Sequence, residues 1–227
     1  MDIERSFEAV VAVAPTLLTG VDLTASAVFA VTGALVASRK QMDIIGFLWL
    51  GVVTGVGGGT LRDLLLGVPV FWVRDATPVI VCLVASAMVF FTAQFIQNRY
   101  RLILWLDAIG LGLFSVAGAN TALEVGASPV IAVTMGVISA TVGGVVRDIL
   151  GQEPSILLRR EIYITAAALG ATVFVALQTT TLDLAVTMII AFAVTFVVRG
   201  AALIFGLSLP GYKSRPGRKI EPQEGAE

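Results

Sequence analysis

The 227-residue chain is 57% hydrophobic and 14% charged, with a mean hydropathy of +0.93 and a net charge of -1. Its apolar runs of about 20 residues match the length that spans a bilayer as helix, so one polytopic membrane domain is expected and no soluble catalytic module fits. There is no histidine, and the single cysteine, Cys82, sits in an apolar run, which excludes disulfides, His/Cys metal sites and histidine acid-base catalysis.

In chain order, residues 1 to 8 carry Asp2, Glu4 and Glu8 against Arg5, unlike the cationic start of a secretory signal, and no cleavage is expected. Ala9 to Val21 is apolar but too short to span and is interrupted by Pro15; it reads as a helical lead-in lying at the surface or extending the first helix. The hydropathy then predicts seven transmembrane helices, at about 22–38, 44–66, 78–97, 102–123, 129–151, 161–178 and 183–206. Trp49, Trp72 and Trp105 fall near the expected interfaces as belt anchors, and Glu124 reads as a solvated loop charge. Lys213, Arg215, Arg218 and Lys219 form a short basic tail, read as a disordered interfacial anchor. With the N-terminus outside, ten Lys and Arg fall on the inner side (Arg39, Lys40, Arg99, Arg101, Arg159, Arg160 and the tail), against Arg5 and Arg74 outside. That imbalance places the C-terminus in the cytoplasm.

One pattern organises the chain. Gly57-Gly58-Gly59-Thr60-Leu61-Arg62-Asp63 returns 85 positions later as Val142-Gly143-Gly144-Val145-Val146-Arg147-Asp148. The same offset pairs Asp22 with Asp107, Gly51 with Gly136, Phe29 to Ala34 with Phe114 to Ala119, Pro69 with Pro154, and Arg74 with Arg159. Each copy spans three helices, an odd number, so the second enters the membrane from the opposite side. The expected organisation is a lead-in (1–21), a first three-helix repeat (22–101), a second inverted one (102–182), a seventh helix (183–207) and a cytoplasmic tail (208–227).

Glycine costs about 1 kcal/mol relative to alanine inside a helix, so Gly57, Gly58 and Gly59 are expected to kink or unwind the second helix, and Gly143 and Gly144 the fifth. Freed backbone at membrane depth is tolerated only inside protein or beside water, and broken helices in two inverted halves point to a permeation or binding site. The alternative is close packing through small residues. Arg62 and Asp22 should meet near the outer interface, and Arg147 and Asp107 at the inner one, with Asp63 and Asp148 as second acceptors. An arginine unpaired in lipid costs at least about 2.5 to 3.5 kcal/mol. These charges read either as pore mouths or as ties between helix ends. Thr54 and Ser139 offer hydroxyls for a dehydrated cation, or bond back to their own helices. Phe29 and Phe114 form a hydrophobic constriction, or ordinary packing.

With these motifs in view, the sequence resembles the prokaryotic members of the trimeric intracellular cation (TRIC) channel family over about residues 20 to 206. The resemblance implies a homotrimer with one pore per subunit, permeable to potassium and other monovalent cations such as sodium, and kinks midway along the second and fifth helices at Gly57-Gly58-Gly59 and Val142-Gly143-Gly144. Val142 departs from a full glycine triplet. Related bacterial sequences have also been described as glycine transporters, which keeps a carrier for a small zwitterion beside the channel. No cofactor and no nucleic acid are expected; membrane lipid is the expected surrounding and a possible bound partner. An intramembrane enzyme lacks the residues it would need.

Overall fold

The computed structural model describes residues 2–153 and 162–209, with side chains from residue 17 onward. Pro154, Arg159, Arg160 and the basic tail lie outside the described residues, as do the inner charges and repeat pairings assigned to them. The elements are α1 (Asp2–Arg39), α2 (Ile44–Leu66), a one-turn α3 (Phe71–Arg74), α4 (Thr77–Thr92) running into a 3-10 turn (Ala93–Phe95), α5 (Arg99–Glu124), α6 (Pro129–Leu150), α7 (Ile164–Leu177) and α8 (Leu184–Phe205). The lead-in therefore extends the first helix, through Pro15.

Among the described residues six helices are long and apolar enough to cross a bilayer, α1 from Leu17 onward together with α2, α4 with its 3-10 turn, α5, α6 and α8. The helix expected at 161–178 appears over 14 described residues, Ile164–Leu177. At 1.5 Å per residue that is about 21 Å, short of the ~30 Å hydrocarbon layer.

Capping fixes the ends. Asp43 accepts the Gly46 N–H at 2.8 Å to open α2, Asn98 accepts that of Arg101 at 3.1 Å to open α5, and Asp183 accepts that of Ala185 at 2.8 Å to open α8. Gly67 closes α2 in the left-handed region, φ 67°, and the N–H of Val68 returns to the Asp63 carbonyl at 3.0 Å. Eighty-five positions on, Gln152 takes the same conformation, φ 50°, and Glu153 N–H returns to Asp148 at 2.9 Å. Gln41 and Gly126 repeat the correspondence at the ends of α1 and α5, φ 55° and 79°. The duplication is thus carried by backbone geometry even where glycine has become glutamine.

α1, α2 and α4 pack as one trio, and α5, α6 and α7 as another. The trios join through α1 on α5 and α2 on α6, and α8 lies against α5 and α7. Small residues make these approaches possible. A methyl on Gly33 would stand 2.6 Å from the Leu50 carbonyl oxygen, and one on its counterpart Gly118 would stand 2.7 Å from that of Met135.

Candidate functional site: two arginine clusters about a glycine crossing

The glycine motifs meet where α2 crosses α6. A Cβ on Gly143 would lie 2.5 Å from the Thr54 carbonyl oxygen, and one on Gly58 would press still closer on that of Ser139. These two contacts exchange under the 85-residue shift, and they run in opposite directions along the chain, so the helices are antiparallel here. Gly57, between them, faces Gly143 Cα at an ordinary 3.8 Å.

Helix assignment continues through both motifs, Ile44–Leu66 and Pro129–Leu150, so the expected unwinding does not occur. The physical reason is the partner helix: what the missing side chains provide is clearance for a facing backbone, and the helical hydrogen bonds survive. Of the two hydroxyls, Thr54 bonds back to Leu50 O at 2.5 Å, whereas Ser139 Oγ is fully buried with no partner among the described residues. Phe29 and Phe114 stack on one another, centroids 5.4 Å apart and planes at 21°, in a buried cluster with Ala25, Leu111 and Tyr163. In this arrangement they are buried in the α1/α5 contact.

At one end of the crossing Arg62, 2% exposed, donates through Nε to Asp63 at 2.7 Å and through a terminal nitrogen to Asp22 at 3.4 Å. Asp63, expected as the second acceptor, is the nearer one. Its other oxygen accepts the Phe71 N–H at 2.9 Å, and the Phe71 ring covers the guanidinium, 5.7 Å from its centre. Trp72 ties the same segment down through its indole N–H to Thr60 Oγ1 at 2.8 Å.

At the other end Arg147, fully buried, donates to Asp107 at 2.7 Å, to Asp148 at 2.9 and 3.0 Å, and to Thr32 Oγ1 at 2.9 Å. Thr32 belongs to α1, so this arginine binds both trios together. The two ends differ in closure: the Asp22 side chain retains 21% exposure, while Asp107 and Arg147 have none. Where a hydrated crevice is expected to reach both arginines, Arg147 and Asp107 are fully buried in this conformation. A 640 Å³ groove lined by Pro129, Val133, Thr134 and Val175 does not touch either arginine.

Sequence reasoning passed over several residues of this site. Arg199, buried on α8, stacks over Tyr163 at 5.2 Å, and a Cβ on Gly144 would lie 2.9 Å from the Tyr163 hydroxyl and 3.4 Å from Asp107. An arginine amid the apolar run Leu184–Phe205 was itself a legible signal. Thr32 carried none, since its partner Arg147 is 115 residues away, and Phe71 carried none because only the turn after α2 brings it back to Asp63. Glu124 is not a free loop charge: it ends α5 and accepts from Asn120 Nδ2 at 2.9 Å. Trp105 packs against Phe196 and Gly200 of α8, while Trp49 is exposed as a belt residue should be.

An all-helical membrane protein with twice-written glycine-arginine-aspartate motifs has known relatives. The family model described as "Glycine transporter" matches twice, at residues 19–94 and 104–179, again 85 positions apart. The UPF0126 inner membrane protein YadS of Escherichia coli (strain K12) is 42% identical over 197 residues, 84% of this chain and 94% of that protein. Among solved structures, the TRIC trimeric intracellular cation channel orthologue from Rhodobacter sphaeroides is 54% identical, with a TM-score of 0.82 over 85% of this chain and all of that one. A trimeric intracellular cation channel from C. elegans shares the fold at 18% identity and a TM-score of 0.57 over 90% of this chain and 98% of that one. The chain belongs to the TRIC channel family.

Proposed function

We propose that this protein is a potassium-permeable monovalent cation channel, with one pore per subunit running between two inverted three-helix repeats. The observation that carries the reading is the reciprocal crossing of α2 and α6, with a buried arginine-aspartate cluster at each end. Residues 22–101 and 102–182 form the halves, related by a pseudo-two-fold axis in the membrane plane, and α8 is the unrepeated helix. The resemblance to the Rhodobacter sphaeroides channel orthologue supports cation conduction and a homotrimer. The protein sits in the cell inner membrane with its N-terminus outside and C-terminus in the cytoplasm, which the excess of inner Lys and Arg supports.

Conduction requires the crossing to move. Contacts between backbones without side chains can slide with little steric resistance, so Gly57 to Gly59 and Gly143 to Gly144 serve as the flexible element, bending where they now run as regular helix. Arg62 with Asp22 and Asp63 guards the outer mouth, and Arg147 with Asp107 and Asp148 the inner one. The hydroxyl of Ser139, without a partner among the described residues, and the hydroxyl of Thr54 flank the midplane, where a partly dehydrated cation would need oxygen ligands. Phe29 and Phe114 back the path from the α1/α5 contact.

Purified protein in a planar bilayer should show unitary potassium currents. Silence across voltages and salts, with the protein folded, refutes the channel. A second reading, a carrier for a small zwitterion such as glycine, is favoured by the description of the matching family model. A carrier would saturate and show counterflow of labelled glycine in liposomes, which a pore does not.

A further inference from the structure

The 85-residue correspondence reverses the charge at the ends of α1 and α5. Arg39 ends α1, and its equivalent at the end of α5 is Glu124. The two mouths of a pseudo-two-fold molecule therefore receive opposite charges at the same place. At one mouth Arg39 and Lys40 approach Glu153 at 3.4 and 3.6 Å, so that acid is faced by two cations. At the other, the positions equivalent to Lys40 and Glu153 are Val125 and Val68. Glu124 instead accepts the amide N–H of Asn120, a residue only 6% exposed whose equivalent is Leu35. Leu123, the residue before Glu124, packs against the same apolar cluster as Leu18 and Val21, beside Asp22, and against another with Leu66 at the end of α2. Glu124 thus stands at the same end of the bundle as Arg62 and its two carboxylate partners, Asp22 and Asp63.

We infer that Glu124 is a selectivity-determining residue that makes this mouth attract cations, and that the exchange of Glu124 for Arg39 between the repeats makes conduction unequal in the two directions. The inference rests on the channel reading above. It requires no ion bound at a fixed place: an exposed carboxylate, oriented by a buried amide, raises the local cation concentration by its field. A unit charge about 10 Å from the path in water changes that concentration roughly two-fold by Coulomb's law. Salt removes the effect, since the screening length falls from about 10 Å at 0.1 M to about 3 Å at 1 M.

The test compares wild type, Glu124→Gln and Glu124→Arg in planar bilayers, in symmetrical KCl near 20 mM and near 1 M, with folding checked by thermal unfolding and gel filtration. Wild type should rectify at low salt and become nearly linear at 1 M. Glu124→Gln should lower the low-salt current entering from this mouth about two-fold and Glu124→Arg about four-fold, and the double exchange Arg39→Glu with Glu124→Arg should reverse the direction of rectification. A conducting Glu124→Arg protein with wild-type rectification at low salt overturns this inference alone. A folded wild type that never conducts overturns the channel reading, and the inference with it.

Discussion

Replacing Gly57, Gly58 and Gly143 by alanine, one at a time, separates two uses of glycine that look alike in a sequence. In the structure a methyl on Gly143 would sit 2.5 Å from the Thr54 carbonyl oxygen and one on Gly58 would press harder on that of Ser139, whereas one on Gly57 meets only Gly143 Cα at 3.8 Å. Carbon and oxygen need more than 3 Å, and the obstacle is backbone on a packed helix, so α2 and α6 must part by roughly 1 Å; overpacking of this kind costs about 1–3 kcal/mol. Gly57→Ala meets no such obstacle and gains up to about 1 kcal/mol of helix propensity. For a chain of this size 1 kcal/mol moves the melting temperature about 2–4 °C. Thermal unfolding in detergent should therefore place Gly58→Ala and Gly143→Ala about 2–12 °C below wild type, and Gly57→Ala at or slightly above it. Equal losses at all three positions would refute the clearance argument. If Gly57→Ala is stable yet suppresses potassium flux, helix flexibility at that glycine matters in its own right.

The arginines should differ in the same assay. Arg147→Gln removes the guanidinium that donates to Asp107, Asp148 and Thr32 in a fully buried cluster and should cost about 3–5 kcal/mol. Arg62→Gln should cost less, because Asp22 keeps access to solvent, and identical losses would contradict the assigned difference in closure. Asp75 gives a pH test outside the spans. Hydrogen bonds from the Thr77 N–H at 3.0 Å and hydroxyl at 2.7 Å hold its carboxyl below the ordinary 3.8. Its folded value is depressed, so its contribution is complete above about pH 3.8 and fades as the pH drops through the lower folded value. The stability gap between wild type and Asp75→Ala should accordingly be larger at pH 7 than at pH 3, and a gap independent of pH would sink the assignment.

The placement of six membrane-length helices, the internal duplication and the pairing of Asp22 with Arg62 and Asp107 with Arg147 could be read from the sequence. Hydropathy and a fixed offset are properties of the chain in one dimension, and a charge in an apolar run must find a partner whatever the fold. What glycine does was not legible, because a residue without a side chain is suited both to breaking a helix and to admitting a neighbour. Only the position of the Thr54 and Ser139 carbonyls decided for close approach. Tertiary structure likewise recruited Thr32 from 115 residues away for Arg147, brought Phe71 back over Arg62 from beyond the end of α2, and set Arg199 over Tyr163. It also sealed one arginine completely while leaving the acid beside the other partly exposed. Those outcomes depend on which helices touch and at what height, and packing in three dimensions sets that where composition and periodicity cannot.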